Sequence, residues 1–164
     1  MRAAILAVIA LLMLAEARLS AKNERRLRAS RAVEPRDDVY RGMRLAYPGC
    51  FLAMAAEGVL RGAAAPALVA AGAVVFVGAK ALKYWAIASL GPRWTFRVLV
   101  SPGAPLVTRG PYRFFRHPNY IAVIGELVGS ALLFAAPITG AAGTLLFAEL
   151  IRRRIRVENR ALRG

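Results

Sequence analysis

Gly110-Pro-Tyr-Arg-Phe-Phe-Arg-His-Pro-Asn-Tyr120 runs straight into Ile121-Ala-Val-Ile-Gly-Glu-Leu-Val-Gly-Ser-Ala-Leu-Leu-Phe-Ala135, setting a polar hook against an apolar helix. The hook holds the chain's only histidine, with two arginines, two prolines and two tyrosines. Pro111 and Pro118 fix their own φ and are expected to hold Gly110 and His117 extended. The backbone between them reads as stiff and non-helical, with N–H and C=O groups left over to bind something. Beside lipid, such backbone is tolerated only where protein, water or a ligand satisfies it. Tyr112, Phe114, Phe115 and Tyr120 offer flat faces for stacking or for an interfacial aromatic belt. On residues alone, two readings stand. One is a binding loop; the other is an interfacial turn whose arginines neutralise lipid phosphates and whose histidine caps the next helix.

Outward from the hook, five apolar stretches mark membrane helices, at about 3–15, 45–60, 64–79 (continuing toward 90), 120–135 and 138–151. Sixteen helical residues span about 24 Å, short of the roughly 30 Å hydrocarbon core. The ends must therefore snorkel or the bilayer must thin. The expected fold is all-α, a polytopic membrane bundle of about five transmembrane helices forming one domain over 1–164. A cytoplasmic loop at 91–120 and a C-terminal tail at 152–164 complete it. Apolar residues make up 58% of the chain, above the 45–50% usual for soluble domains, and mean hydropathy is +0.47.

Charge orients these segments. The chain carries 24 Lys+Arg against 9 Asp+Glu, a net charge of +15. The cations flank apolar segments and accompany no recognition motif, so they read as positive-inside bias and headgroup contacts, not as nucleic-acid binding. Residues 2–17 resemble a signal peptide, with Ala15-Glu16-Ala17 as the cleavage site. Against that, residues 18–44 hold nine cations (Arg36 among them) and four acids, which retain this loop in the cytoplasm. With 18–44 inside, the chain turns outside at Arg61-Gly62 and at Pro137. Arg93, Arg97, Arg109, Arg113 and Arg116, and the tail arginines through Arg163, then all return to the cytoplasmic side. Lys80 and Lys83 fit if the third span ends near Ala79 and both lysines snorkel to headgroups. Gly91-Pro92, Ser101-Pro102-Gly103 and Pro105 mark 91–111 as irregular. Cys50 is the single cysteine and there is one histidine. An internal disulfide is excluded, and no protein-bound metal is expected.

In the tail, Arg154 and Glu158 share a helix face. They read either as a solvated ion pair or as a functional couple, Arg154 meeting an anionic substrate group and Glu158 a cationic or hydroxyl-bearing cofactor. A planar guanidinium suits a carboxylate better than an ammonium does.

The run Leu106-Val-Thr-Arg-Gly-Pro-Tyr-Arg-Phe-Phe-Arg-His-Pro-Asn-Tyr120, two hydrophobic helices, and then Arg154-Ile-Arg-Val-Glu158 resemble the isoprenylcysteine carboxyl methyltransferase family. That family sits in a wider group that includes phospholipid N-methyltransferases. Asn23-Glu-Arg-Arg-Leu-Arg-Ala-Ser-Arg-Ala-Val-Glu34 resembles its bacterial branch. The resemblance implies an S-adenosylmethionine-dependent methyltransferase. Its cofactor would be enclosed by Pro105, Leu106, Val107, Tyr112, His117, Pro118, Asn119, Tyr120 and Glu158, and Arg154 would serve substrate binding and catalysis. Relatives often carry two adjacent tail acids; here the second position is Asn159.

The expected reaction is carboxyl or O-methylation of a lipophilic small molecule or lipid-modified acceptor, with membrane lipids as the other contacts and no obligate protein partner. The Ala/Gly/Arg-rich usage points to a bacterial inner membrane with the site facing the cytoplasm. A phospholipid N-methyltransferase is the nearest rival, although an amine must lose a proton and favours an acid over Arg154. A non-enzymatic scaffold or transporter subunit is the other, with Glu57 and Glu126 as intramembrane acids unless each pairs with a neighbouring Lys or Arg.

Overall fold

A computed structural model describes residues 2–35, 39–100, 103 and 105–161. The expectations placed on Arg36, Ser101, Pro102 and Arg163 lie outside the described residues. Among these residues the fold is all-helical. It comprises α1 (Arg2–Ala29), α2 (Tyr40–Arg61), α3 (Pro66–Leu90), α4 (Pro118–Phe134) and α5 (Pro137–Ala161), with short 3-10 turns at Gly91–Arg93 and Gly110–Arg113. A single antiparallel bridge joins Val33 to Val100.

Prolines open three of the five α-helices, Pro66, Pro118 and Pro137 each supplying a preset φ where a backbone N–H is dispensable. Ala135, in the left-handed region at φ 51°, ends α4, so the α4–α5 hairpin turns at Pro137 as expected. Two segments are long and apolar enough by themselves to cross a membrane: α1, and α3 with the 3-10 turn that prolongs it to Arg93. The apolar α4 is shorter, at 17 residues. Two such helices, not five, meet the test of length and hydropathy. The C-terminal half of α5 is crowded with arginine, and Pro48 interrupts α2.

Only 17% and 28% of the apolar windows of α1 and α3 are buried within the protein. Leu11, Leu60, Val74, Val77, Ile138 and Leu145 point outward. A soluble core helix would hide such residues, whereas lipid accepts them. The inner faces pack around Phe51, Met54, Phe76, Leu127, Phe134 and Phe147. Helices α3 and α4 form the most extensive pair because Gly129 removes the side chain between them; a Cβ there would stand 2.6 Å from the Phe76 backbone nitrogen.

Two expectations are corrected. The first helix does not stop near residue 15 and give way to a loop: α1 continues to Ala29. Its basic half is helical because one face docks on the segment after α3. The Asn23 side-chain amide donates to the Trp94 carbonyl at 2.8 Å, and Ser20 Oγ accepts from the Phe96 N–H at 2.8 Å. Nor do Lys80 and Lys83 snorkel. Helix α3 runs unbroken past both, and they are only 6% and 2% exposed. Glu16 of α1 and Glu126 of α4 pair with both ammoniums, at 2.7 and 2.9 Å from Lys80 Nζ and 2.7 and 3.1 Å from Lys83 Nζ. Buried charge of this kind is tolerable only when compensated. Glu126 thus pairs with lysines of a neighbouring helix. Glu57 instead meets Arg61 of its own helix at 2.7 Å and Thr139 of α5.

Candidate functional site

The site grows from the end of α3. Gly91, at φ 56°, turns the chain out of the helix, and the following segment is pinned to α1 through Trp94 and Phe96. Arg97 fastens it further, lying 2.6 Å from Glu34 and 3.3 Å from Glu24 and stacking over the Tyr40 ring at 4.5 Å. Burial acts against ionisation of Glu34, yet hydrogen bonds from Arg97 and Arg28 outweigh it and lower the carboxyl below its usual range. Arg93 donates to the Pro105 carbonyl at 2.5 Å, and Arg109 to the Ser89 carbonyl at 3.2 Å. The returning chain is thereby laid back over the C-terminal end of α3.

The hook departs from its expected form. Gly110 is not extended; it adopts φ 61° and launches the 3-10 turn Gly110–Arg113. Here glycine is needed twice over. The left-handed φ costs a side chain energy, and a Cβ would stand 2.0 Å from Ser89 Oγ. His117 is the residue before α4, but its side chain makes no capping bond; its carbonyl accepts from the Tyr120 N–H at 3.1 Å. Phe114 and Phe115 lie outside on the surface.

Hook and tail meet. The Tyr120 hydroxyl donates to Glu158 Oε2 at 2.9 Å and accepts from Arg154 Nε at 3.0 Å, so one phenol joins the start of α4 to the end of α5. His117 Nδ1 stands 3.8 Å from the same Glu158 oxygen, and its ring stacks on Tyr120 with centroids 5.5 Å apart. Arg154 is 5% exposed and also donates to the Phe96 carbonyl. Arg154 and Glu158 are therefore not an isolated solvated pair.

Behind this junction lies a cavity of about 620 Å³. Pro105, Leu106, Val107, Tyr112, His117, Asn119, Tyr120, Arg154 and Glu158 all line it, as does Asn159. Pro118 does not; it is buried at the first turn of α4. Burial, with Glu158 nearby as the smaller cause, raises the Tyr112 phenol well above its ordinary range, so it stays protonated at neutral pH. Asn119 Oδ1 accepts from the Trp94 indole at 3.2 Å, which fixes the amide's orientation.

Several wall residues have no signal in the local sequence. Tyr40, Met43 and Tyr47 come from α2, Trp94 and Phe96 from the segment after α3, and Glu16 and Lys83 from the buried ion cluster. A Trp or a Met in an apolar chain looks like core, and only docking of the segments makes it a wall. Asn23 stood in the quoted basic run, but its bond to Trp94 spans 71 residues.

The model of the isoprenylcysteine carboxyl methyltransferase (ICMT) family matches residues 71–164, from the middle of α3 through hook and tail. The chain belongs to this family. A membrane methyltransferase is the activity that membership carries. The chain is also similar, at 32% identity over 158 residues, to the uncharacterised protein YpbQ of Bacillus subtilis (strain 168), covering 96% of this chain and 94% of that one. An uncharacterised protein of Haemophilus influenzae is 27% identical over 92 residues, 56% of this chain and 54% of its own. No solved structure matches the chain. The ICMT match takes in hook and tail together, the two segments that the Tyr120 hydroxyl joins.

Proposed function

We propose that the protein is an S-adenosylmethionine-dependent methyltransferase that methylates an oxygen, a carboxylate or enolate, on a lipophilic acceptor. It would work in a bacterial inner membrane with the hook on the cytoplasmic side. The observation that carries this reading is the Arg154–Tyr120–Glu158 junction, which closes hook and tail around one cavity. S-adenosylmethionine, when bound, supplies an electrophilic methyl on a sulfonium.

The residues fit that group. Glu158 offers a carboxylate to a cation or a ribose hydroxyl. The protonated Tyr112 and the stacked His117–Tyr120 pair offer flat faces for a base. Asn119, turned by Trp94, keeps a defined orientation on the wall. Pro105, Leu106 and Val107 form an adjoining apolar strip. Pro118 belongs to the framework: it starts α4 and so places Asn119 and Tyr120.

For the acceptor, Arg154 is the anchor. Its Nε is engaged by Tyr120, one terminal nitrogen by the Phe96 carbonyl and the other by the Met43 sulfur at 3.9 Å, which fixes the plane of the fork against the cavity. Among the described residues, Arg44, Arg93, Arg97 and Arg116 also line the cavity, against the carboxylates of Glu16 and Glu158. That excess of cations favours an anionic nucleophile over an amine, which disfavours the phospholipid N-methyltransferase alternative. An anion needs no strong base; it needs placement about 3–3.5 Å from the carbon it attacks and exclusion of water. Outward-facing apolar helices give a lipophilic tail its lateral route.

The test is methyl transfer from isotopically labelled S-adenosylmethionine into lipid extract by the purified chain, compared with Arg154→Ala and Glu158→Ala. Arg154→Ala should impair turnover far more than cofactor binding, and Glu158→Ala the reverse. Parental rates in both variants would dismantle the assignment.

A further inference from the structure

The cavity wall carries more positive charge than the protein itself neutralises. Both carboxylates in the described wall are engaged: Glu16 pairs with Lys80 and Lys83, and Glu158 accepts from Tyr120. Three wall arginines are engaged as well. Arg93 donates to the Pro105 carbonyl, Arg97 pairs with Glu24 and Glu34, and Arg154 meets Tyr120, Phe96 and Met43. Arg44 and Arg116 are left. Both line the cavity and are exposed, and neither meets a hydrogen-bonding or ion-pairing partner among the described residues. Both guanidiniums are therefore open to an anion that a ligand brings.

The methyl donor has one carboxylate of its own, enough for one of the two. Arg116 belongs to the hook, which would enclose that donor. Arg44 stands apart, on α2, in the part of the chain that precedes the family match at residue 71. Tyr40 lies four residues before it and Tyr47 three after, so the three share a helix face, and all three line the cavity. Both rings are already engaged, Tyr40 beneath Arg97 and Tyr47 through its bond to Glu126. Met43, next to Arg44 in the chain, places its sulfur 3.9 Å from Arg154. Arg44 is thus the open charge on α2 beside the acceptor's anchor. We infer that Arg44 determines specificity by binding a second anionic group of the acceptor, an oxyanion such as a carboxylate, carried beside the group that is methylated. The acceptor is then a lipophile with two anionic groups at its head, not a hydrocarbon behind one. This rests on the reading of the cavity as the acceptor's site. A planar guanidinium takes such an oxyanion through two parallel bonds.

The experiment compares N-dodecanoyl-aspartate with N-dodecanoyl-asparagine, amphiphiles of one shape that differ by a single carboxylate. Their binding to the purified chain is measured at low salt in phosphatidylcholine nanodiscs, and labelled S-adenosylmethionine binding is recorded on the same preparations. An ion pair open to water is of modest strength, so the parent should bind the diacid about fivefold more tightly than the monoacid. Arg44→Gln should remove that preference and leave the monoacid unchanged. Arg41→Gln removes the same charge from the same end of α2, but not from the wall, and should keep the preference. A parent without preference overturns the subsite, and so does an equal loss in both variants, which would mark the general pull of a basic surface. Phosphatidylglycerol nanodiscs supply the competing source of oxyanions. There the parent's preference should still exceed that of Arg44→Gln about fivefold, since the membrane's charge acts on both alike. Loss of that gap assigns Arg44 to lipid headgroups and overturns the inference. If the subsite fails while S-adenosylmethionine still binds, the methyltransferase reading stands. An Arg44-dependent preference in a protein that binds no S-adenosylmethionine ends the methyltransferase reading and keeps the subsite.

Discussion

Replacing Tyr120 with phenylalanine removes one oxygen and tests the whole arrangement. That oxygen accepts from the buried Arg154 guanidinium at 3.0 Å and donates to Glu158 at 2.9 Å. Hydrogen bonds to charged groups contribute about 1.5–3 kcal/mol each. Both charged partners sit on one helix face four residues apart and can turn toward each other once the phenol is gone, which recovers part of the loss. A net deficit near the lower figure, about 1.5 kcal/mol, corresponds to roughly tenfold in a dissociation constant. Tyr120→Phe should therefore raise the dissociation constant for S-adenosylmethionine about tenfold, read by equilibrium binding of the labelled compound to purified protein. The ring survives, so stacking on His117 and helix packing should be kept, and helical content by circular dichroism should match the parent. A double-mutant cycle with Glu158→Gln should show that the two losses are not additive, because both act on one bond. If Tyr120→Phe binds within twofold of the parent, the hydroxyl does not couple hook to tail and the reasoning fails.

Gly110→Ala should cost about 1–2 kcal/mol from the left-handed φ alone and more from the overlap with Ser89. Faster proteolytic cleavage within 105–117, with the remaining helices intact, would display it. In the ion cluster, Lys83→Met alone leaves carboxylates underpaired and should lower stability by about 3–5 kcal/mol. Lys83→Met combined with Glu126→Leu should recover much of that, because Lys80 and Glu16 remain at 2.7 Å; denaturant unfolding in micelles would show a double variant no less stable than the single. For Glu34, whose carboxyl is held below its usual range, the contribution to stability is present above the ordinary carboxyl pKa and lost as pH falls through the lowered one. Acid should loosen the Val33–Val100 bridge first, seen as hydrogen exchange at those two amides, and Glu34→Gln should abolish that acid step.

Much of the architecture was legible because it is written in short range. Each of the five apolar runs overlaps one of the five α-helices among the described residues, and the α4–α5 hairpin turns where Pro137 stands. Arginine position bears on topology because each apolar boundary is a local feature. The pairing of hook with tail came from resemblance, since no spacing rule connects residue 120 to residue 158. The errors share a cause. Read alone, Lys80 and Lys83 ask for water; their partners lie 64 and 43 residues away on other helices, and no periodicity announces such a meeting. The length of α1 escaped for the same reason. A dense basic run looks like a loop until Asn23 and Ser20 find the backbone of Trp94 and Phe96.

What the sequence determined by itself is a basic, membrane-seeking helical chain carrying the hook and tail of its family, because hydropathy and motif spacing are properties of neighbours along the chain. Tertiary structure alone decided that the charges of α1, α3 and α4 cancel at the floor of a cavity, and that Trp94 fixes Asn119 on its wall. Those choices depend on which helix faces pack together, and burial settles them by making any uncompensated charge or unpaired donor too costly to keep.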